Sequence, residues 1–475
     1  MITADRPPVP SGPWLVVGLG RAGVAAAEAL AERASVVRGW DAASTAATRG
    51  AARRLANIGV DVSLGDRPQL EGVRAVARSP GVPLDTEPLA SARRSGLPVI
   101  DELELGWRLQ CAPIVGVTGT NGKGTVGALL TAALRASGDH PVLTGNWEFG
   151  PPLSAAEPDG GPLVCEVSSY QLEAAPCFLP ELSVLTNLGH DHLQRHGDRR
   201  AYGDVKRRMF IRGERTAPAA VVGTGEGFGK RLAHELRVRG ARVSTCVGEA
   251  ADYRVQESSW ELETGRTVLR ARGERFAVDS RLPGPHNARN LAVALALTDE
   301  LGIERGVALA AFASAEPVPG RFEVVDAGQP FSVVVDWAHT PEAYREVLHT
   351  ARALARGSLR VLIGSAGGMD RTKRPAMGRE AARFADRLMV TSAGRQDAEP
   401  PGQAIEHLLA GAGEALELDV VLDRREAIRR LVRDAEPGDV VILLGRGAAA
   451  SPLREGGPPF DDREVLRAEL GALVS

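Results

Sequence analysis

A chain of 475 residues, 44% hydrophobic and 25% charged, is longer than one hydrophobic core usually serves, so two to four domains are expected, and three at roughly 150 residues each. The net charge of −3 excludes a global basic field that would draw the chain onto nucleic acid or an anionic membrane, so any phosphate recognition has to be local. There is no run of about 18 apolar residues and no apolar signal core in Met1 to Pro13, so no membrane insertion is expected, and a cytoplasmic monomer is. Cys111, Cys165, Cys177 and Cys246 show neither CxxC pairing nor zinc-like clustering and read as small buried residues of a reducing compartment.

In chain order, Trp14-Leu-Val-Val-Gly-Leu-Gly-Arg-Ala-Gly23 followed by an Ala-rich stretch reads as strand, glycine turn and helix. The spacing Gly18-x-Gly20-x-x-Gly23, with Asp41 after the next strand, matches a dinucleotide fingerprint; a plain βα turn or a ligand other than NAD fits the same residues. Arg78-Ser-Pro-Gly-Val-Pro83 is a turn after a short strand, and Leu97–Ile100 leads into a helix starting near Asp101. A new apolar strand after Pro113 sets the first boundary, giving a domain over 1–112. The second domain, 113–316, alternates strands (Pro113–Val117, Leu163–Val167, Leu182–Leu188, Ala219–Val222) with helices, which predicts a mainly parallel sheet. After the Pro/Gly linker Ser314–Gly320 the third domain, 317–475, has strands at Phe331–Asp336, Leu359–Ile363, Arg387–Thr391, Asp419–Leu422 and Val440–Leu444. The expected class is α/β: a Rossmann-like first domain, a central P-loop ATPase-type parallel sheet and a Rossmann-like third domain.

The chemistry concentrates in the middle. Ile114-Val-Gly-Val-Thr118 runs into Gly119-Thr120-Asn121-Gly122-Lys123-Gly124-Thr125 and a helix, the layout in which backbone N–H groups and one lysine surround nucleotide phosphates. The residue after the lysine normally offers a hydroxyl to Mg²⁺; here it is Gly124, and Thr125 follows one residue late. Glu166, near the end of an apolar strand, calls for a cation or hydrogen bonds, with Mg²⁺ the natural partner. Asn187, His190, Asp191, His192 and His196 crowd the edge after another strand.

The runs GTNGK (119–123), EVSSYQLE (166–173), TNLGHDHLQRHG (186–197), AYGDVKRRMF (201–210) and GPHNARN (284–290) resemble the Mur ligase family, the ATP-dependent amino-acid-adding enzymes of peptidoglycan synthesis. VVGLGRAG (16–23), SPGVPLD (79–85) and SGLPVIDELEL (95–105) look most like the member that adds D-glutamate to UDP-N-acetylmuramoyl-L-alanine. The resemblance implies ATP and Mg²⁺ as cofactors, and UDP-N-acetylmuramoyl-L-alanine and glutamate as substrates. It implies that Gly18, Leu19, Gly20, Arg21, Asp41, Ser79, Pro80 and Gly81 hold the UDP substrate. It places Gly119 to Thr125, Asn287, Asn290, Arg321, Asp336 and His339 on ATP, with His286 in the motif near the adenine. Lys123, His192 and Lys206 become catalytic, and Thr125, Glu166, His192 and Lys206 metal ligands, Lys206 after carbamylation; on the residues alone Lys206 reads as a solvated helix position.

The third domain departs from the glutamate-adding pattern. Val335-Asp-Trp-Ala-His-Thr-Pro-Glu342, Asp370-Arg-Thr-Lys-Arg-Pro375 and Phe460-Asp-Asp-Arg-Glu464 look like the member that adds the third amino acid, yet its diaminopimelate-recognising run falls here at Ala393-Gly-Arg-Gln396. Arg371, Lys373, Arg374, Arg395 and Arg446 form a surplus of cations suited to a dicarboxylic amino acid. The expected reaction is therefore D-glutamate addition through an acyl phosphate. The alternatives are a sister ligase adding L-glutamate or another amino acid, and, because of Gly124, a non-catalytic nucleotide-binding regulator.

Overall fold

Trp14–Val17 is buried along its whole length, as the central strand of a parallel sheet must be. The computed structural model describes residues 6–33, 35–66, 68–368, 370–394, 398–413, 417–454 and 456–474. In the first sheet the order is Asp61–Leu64, Val37–Asp41, Trp14–Val17, Ala75–Arg78, Val99–Asp101, all parallel. The glycine turn leads into the helix Arg21–Ala31. Gly18 has φ +86°, and a Cβ on Gly23 would lie 1.8 Å from the Gly18 carbonyl oxygen, so both glycines are required by this turn whatever it binds.

The central sheet runs Glu274–Ser280, Gly265–Ala271, Tyr253–Trp260, Arg242–Cys246, Ala219–Gly223, Leu182–Leu185, Ile114–Thr118, Leu163–Glu166, Val142–Gly145. The strands from Val142–Gly145 to Arg242–Cys246 are parallel, but the last three form an antiparallel meander that the expectation of a mainly parallel sheet lacked. Its outer strands are largely exposed and its middle strand is broken by the exposed Arg266 and Arg270, so none carries a long apolar run to announce it. Ile114–Thr118 sits between Leu163–Glu166 and Leu182–Leu185, so the loops after all three open at one sheet edge.

The third sheet runs Glu323–Val324, Ser332–Asp336, Val440–Leu444, Leu359–Ser365, Arg387–Ser392, Glu417–Val420, parallel except for its first strand. No helix among the described residues is long and apolar enough to cross a membrane. The cysteines are free; Cys165 and Cys246 are buried as expected, whereas Cys111 is exposed and Cys177 half-buried.

The first and central sheets are joined by buried charge. Arg78, read from the sequence only as the start of a turn, is fully buried and binds Asp101 at 3.1 Å, Glu173 at 2.9 Å and the carbonyl of Tyr170. Burial pushes the Asp101 carboxyl up to about 7 against the pull of Arg78. Replacing Arg78 with Met leaves the buried Asp101 without its cation and Glu173 with Arg195 alone; we expect a loss of about 3–5 kcal/mol in denaturant unfolding, and a loss below about 1 kcal/mol would show that Arg78 does not hold the domains together.

Candidate functional site

Two chambers lie at the edge where the strand ends meet. One, of about 360 Å³, is lined by Thr120 to Thr125, Asn187, His286, Asn287, Asn290, Arg321, Asp336 and His339. The other, of about 510 Å³, is lined by Pro80, Gly81, Trp147, Tyr170, His192, Lys206, Lys373 and Arg446. Thr120, Lys123, Glu166, Arg321 and His339 line both and so stand at their junction.

The phosphate-type loop is shaped by close approach. Gly122 has φ +84°, and a Cβ there would meet Asn290 Oδ1 at 2.4 Å. Asn290 in turn donates to Asn287 Oδ1 at 3.1 Å, and Asn187 Oδ1 accepts from the Asn121 N–H at 3.0 Å, so the helix Pro285–Leu301 and the loop after Leu182–Leu185 both brace the turn. Lys123, the first residue of the helix Lys123–Ala136, donates to the Thr120 carbonyl at 3.1 Å.

Lys206 corrects the solvated reading. It is 1% exposed, donates to the Gly119 carbonyl at 2.8 Å and to Thr118 Oγ1 at 3.3 Å, and lies over the Tyr202 ring at 4.7 Å. Burial, reinforced by the Lys123 charge, holds its pKa well below the usual lysine range. His192 adopts a left-handed conformation, φ +57°, with Nδ1 3.0 Å from the Tyr170 hydroxyl and Nε2 3.3 Å from Asp191. Burial takes its pKa down to about 3, so the imidazole is neutral and able to act as a ligand. Glu166 accepts from Asn146 Nδ2 at 3.0 Å through Oε1.

Among the described residues no three His, Cys, Asp or Glu side chains converge to hold a metal by themselves. Glu166 and the neutral His192 nevertheless line one chamber beside Lys206. That set fits a Mg²⁺ completed by phosphate, water or a carbamate oxygen rather than by a protein cage.

Third-domain residues reach the junction through specific bonds. Asp336 accepts from the N–H groups of Phe322 (2.7 Å) and Ala338 (2.6 Å) at its strand end, and burial raises its pKa. Arg321 stacks on Trp337 at 5.5 Å, and His339 Nε2 stands 3.5 Å from Asp191. Asp191 also binds Lys373 at 2.5 Å; burial would raise its pKa, but the bond from His339 and the Lys373 charge outweigh this and hold it well below the usual range. Asp370 accepts the N–H of Leu193 at 2.8 Å, Asn121 donates to Thr340 at 3.2 Å, and His190 donates its N–H to Glu342 at 3.1 Å. Tyr170, Asn146 and Glu342 were not legible in the sequence as site residues, since their partners lie tens of residues away.

Several expected contacts look different in place. Asp41 accepts the N–H of Leu19 at 2.7 Å and of Ala43 at 2.9 Å, so it shapes the glycine turn. Arg21 reaches across to the central domain and donates to the carbonyls of Trp147 (2.6 Å), Glu148 (2.8 Å) and Gly150 (3.1 Å). Ser79 packs against Gly18 and Gly20, and Pro80 and Gly81 border the larger chamber. The cation surplus is largely committed: Lys373 to Asp191, Arg374 and Arg371 both to Glu399. Arg446 binds the carbonyls of Ala393, Ala449, Ser451 and Phe460 and no carboxylate among the described residues. Arg395 lies outside the described residues.

The family description "Mur ligase middle domain" matches residues 117–298, and "Mur ligase, glutamate ligase domain" matches 320–447. Two relatives are named UDP-N-acetylmuramoyl-L-alanyl-D-glutamate--2,6-diaminopimelate ligase. The one from Solibacter usitatus is 35% identical over 382 residues, 75% of this chain and 77% of its own. The one from Streptomyces coelicolor is 34% identical over 389 residues, 75% of each chain. This chain belongs to the Mur ligase family. It is therefore a carbon–nitrogen ligase of peptidoglycan precursor synthesis that uses ATP and Mg²⁺. The expectation of D-glutamate addition is overturned, because these relatives are named for addition of the next residue, in agreement with the third-domain departures.

Among solved structures, UDP-N-acetylmuramate-alanine ligase MurC of Thermotoga maritima shares the fold at TM-score 0.64 and 20% identity, covering 98% of this chain and 99% of its own. MurF of the same organism, solved with ADP, aligns at TM-score 0.59 and 18% identity over 85% of this chain and 90% of its own.

His196 gives the site a pH signature. Its side chain is 3% exposed and its Nε2 sits 3.0 Å from Ser169 Oγ. Burial lowers its pKa to about 4, so below the ordinary value of 6.5 the unfolded chain binds a proton that the folded one does not. Its contribution is intact above pH 6.5 and declines as pH falls toward 4. Relative to His196→Gln, the native protein should lose stability more steeply across that window, by up to one proton per molecule unfolded; parallel pH profiles of the unfolding midpoint would refute the neutral imidazole.

Proposed function

We propose that this ligase extends a UDP-N-acetylmuramoyl peptide by one amino acid, in the cytoplasm where ATP and UDP-linked precursors meet, releasing ADP and phosphate. The observation that supports this is the junction of two chambers at Lys123, Glu166 and Arg321. ATP fits the smaller chamber, with its phosphates on the loop 119–125 and the helix N-terminus. Asn287, Asn290, Asp336 and His339 flank its base and ribose. The UDP-linked substrate enters the larger chamber past Ser79, Pro80 and Gly81.

At the junction the substrate carboxylate attacks the γ-phosphorus, the β–γ bridge bond breaks, and an acyl phosphate and ADP result. Lys123 and Arg321 supply positive charge where the transferred phosphoryl group passes. The incoming amine then attacks the acyl carbon and displaces phosphate. Mg²⁺, held by Glu166, His192 and carbamylated Lys206, would neutralise the phosphate oxygens. Burial that favours the uncharged form of Lys206 suits carbamylation, because an uncharged amine adds to carbon dioxide and an ammonium does not. Tyr170 and Asp191 hold the His192 ring, and the third-domain bonds to the loop after Leu182–Leu185 keep water out and the reactants aligned.

A specific observation favours L-glutamate over diaminopimelate as the added residue. No third-domain carboxylate among the described residues lines the larger chamber to receive a side-chain ammonium. Arg446 is a buried cation there whose hydrogen-bond partners are all carbonyls, and burial takes its pKa down to about 10. A side-chain carboxylate would compensate it.

Purified protein with ATP, Mg²⁺, an amino acid and UDP-N-acetylmuramoyl-L-alanine or its D-glutamyl extension should release ADP and phosphate; AMP would rule the mechanism out. In an amino-acid panel, L-glutamate should outpace diaminopimelate and lysine. Turnover with diaminopimelate alone would remove the L-glutamate reading and leave the ligase intact. Lys206→Ala should lower kcat by roughly a hundredfold or more and regain part of it with short-chain carboxylic acids, whereas unimpaired turnover would reject the carbamate.

A further inference from the structure

Gly124 stands where a phosphate loop ordinarily carries a hydroxyl, and the structure shows what has taken its room. A Cβ on Gly124 would lie 2.6 Å from Cζ3 and 3.3 Å from Cε3 of Trp147, and 3.2 Å from Glu166 Oε2. Both ring distances are shorter than side chains tolerate without displacement, and an indole is a rigid plate that cannot fold away. Trp147 belongs to the segment after the strand Val142–Gly145, and it is anchored at both ends. Its ring packs edge-on against Phe149, centroids 5.4 Å apart, and its carbonyl accepts from Arg21 at 2.6 Å. The neighbouring Asn146 holds Oε1 of Glu166 at 3.0 Å. Two consecutive residues of one segment thus press on the loop and fix the Glu166 carboxylate beside it, and Arg21, at the start of the helix after the first-domain glycine turn, fastens that segment to the domain read as holding the UDP substrate.

We propose that Trp147 is a positioning residue of the nucleotide–magnesium site, its indole replacing the side chain that position 124 lacks and buttressing Glu166 against the phosphate loop. Gly124 is then an accommodation to Trp147 and not a sign of lost activity. The pair is reciprocal: a side chain at 124 and an indole at 147 exclude one another. The assignment rests on reading the loop 119–125 as the ATP phosphate site.

The test is a double-mutant cycle read by binding rather than turnover: Mg·ADP affinity by calorimetry, and Mg²⁺ half-saturation at fixed ADP, on the full chain. Gly124→Ser should weaken Mg·ADP about tenfold or more through the clash, and Trp147→Val should weaken it by removing the buttress. Gly124→Ser combined with Trp147→Val should bind more tightly than either single variant, because the room and the hydroxyl return together. Gly124→Ala with Trp147→Val separates the two effects: it regains the fit but requires more Mg²⁺ for half-saturation than the serine-bearing double variant. Should Gly124→Ser alone fail to fold, the double variant must still fold and bind. Additive losses, or single variants indistinguishable from a native chain that binds Mg·ADP, overturn the assignment alone; a native chain that binds no Mg·ADP overturns the ligase reading with it.

Discussion

Two lysines at the mouth of one glycine loop set the terms for the whole site. Lys123 opens the helix, and Lys206 lies buried against the Gly119 carbonyl and the Thr118 hydroxyl, where the strand passes into that same loop. Two ammonium groups so placed, one of them out of water, repel each other and lose solvation, so Lys206 is driven toward its neutral form. Under the proposed reaction, the uncharged form would leave the loop with one cation for phosphate and would supply the nucleophile that carbamylation requires. The rest of the arrangement follows this charge balance: Glu166 tied down by Asn146, His192 kept neutral by burial, and Tyr202 lying beneath the amine.

That balance holds only while three sheets stay in register. Arg78 closes the first sheet on the central one, and the Asp191–Lys373 pair with the Asp370 to Leu193 bond closes the third. These joints are made of buried charges, which are poor sources of net stability but severe in their geometric demands, since a shifted partner leaves an uncompensated ion. They therefore serve alignment. The commitment of Lys373, Arg371 and Arg374 to carboxylates also explains why a count of cations overstated the appetite of the site for an acidic substrate. Arg446 is the buried cation there whose hydrogen bonds go to carbonyls, with Asp461 and Asp462 acting on its charge only from a distance.

What was legible in the sequence was whatever is decided within a few residues. The apolar strands Trp14–Val17, Ile114–Thr118 and Val440–Leu444, the glycine turns at 18–23 and 119–122, and Asp336 at a strand end all follow from local burial and backbone geometry. The meander from Tyr253 to Ser280 was missed, because half-exposed strands interleave charges with apolar residues and lose the run that marks a buried strand.

By itself the sequence determined three α/β units, a nucleotide-type loop and the absence beside it of a hydroxyl at 124. Only the tertiary structure decided that Lys206 is buried, that Arg21 binds a neighbouring domain, that Lys373 is already paired, and that Trp147 fills the room Gly124 leaves. The reason is physical: backbone preference and periodicity act between residues a few positions apart, whereas solvation, ion pairing and steric exclusion depend on which distant side chains the fold brings into contact.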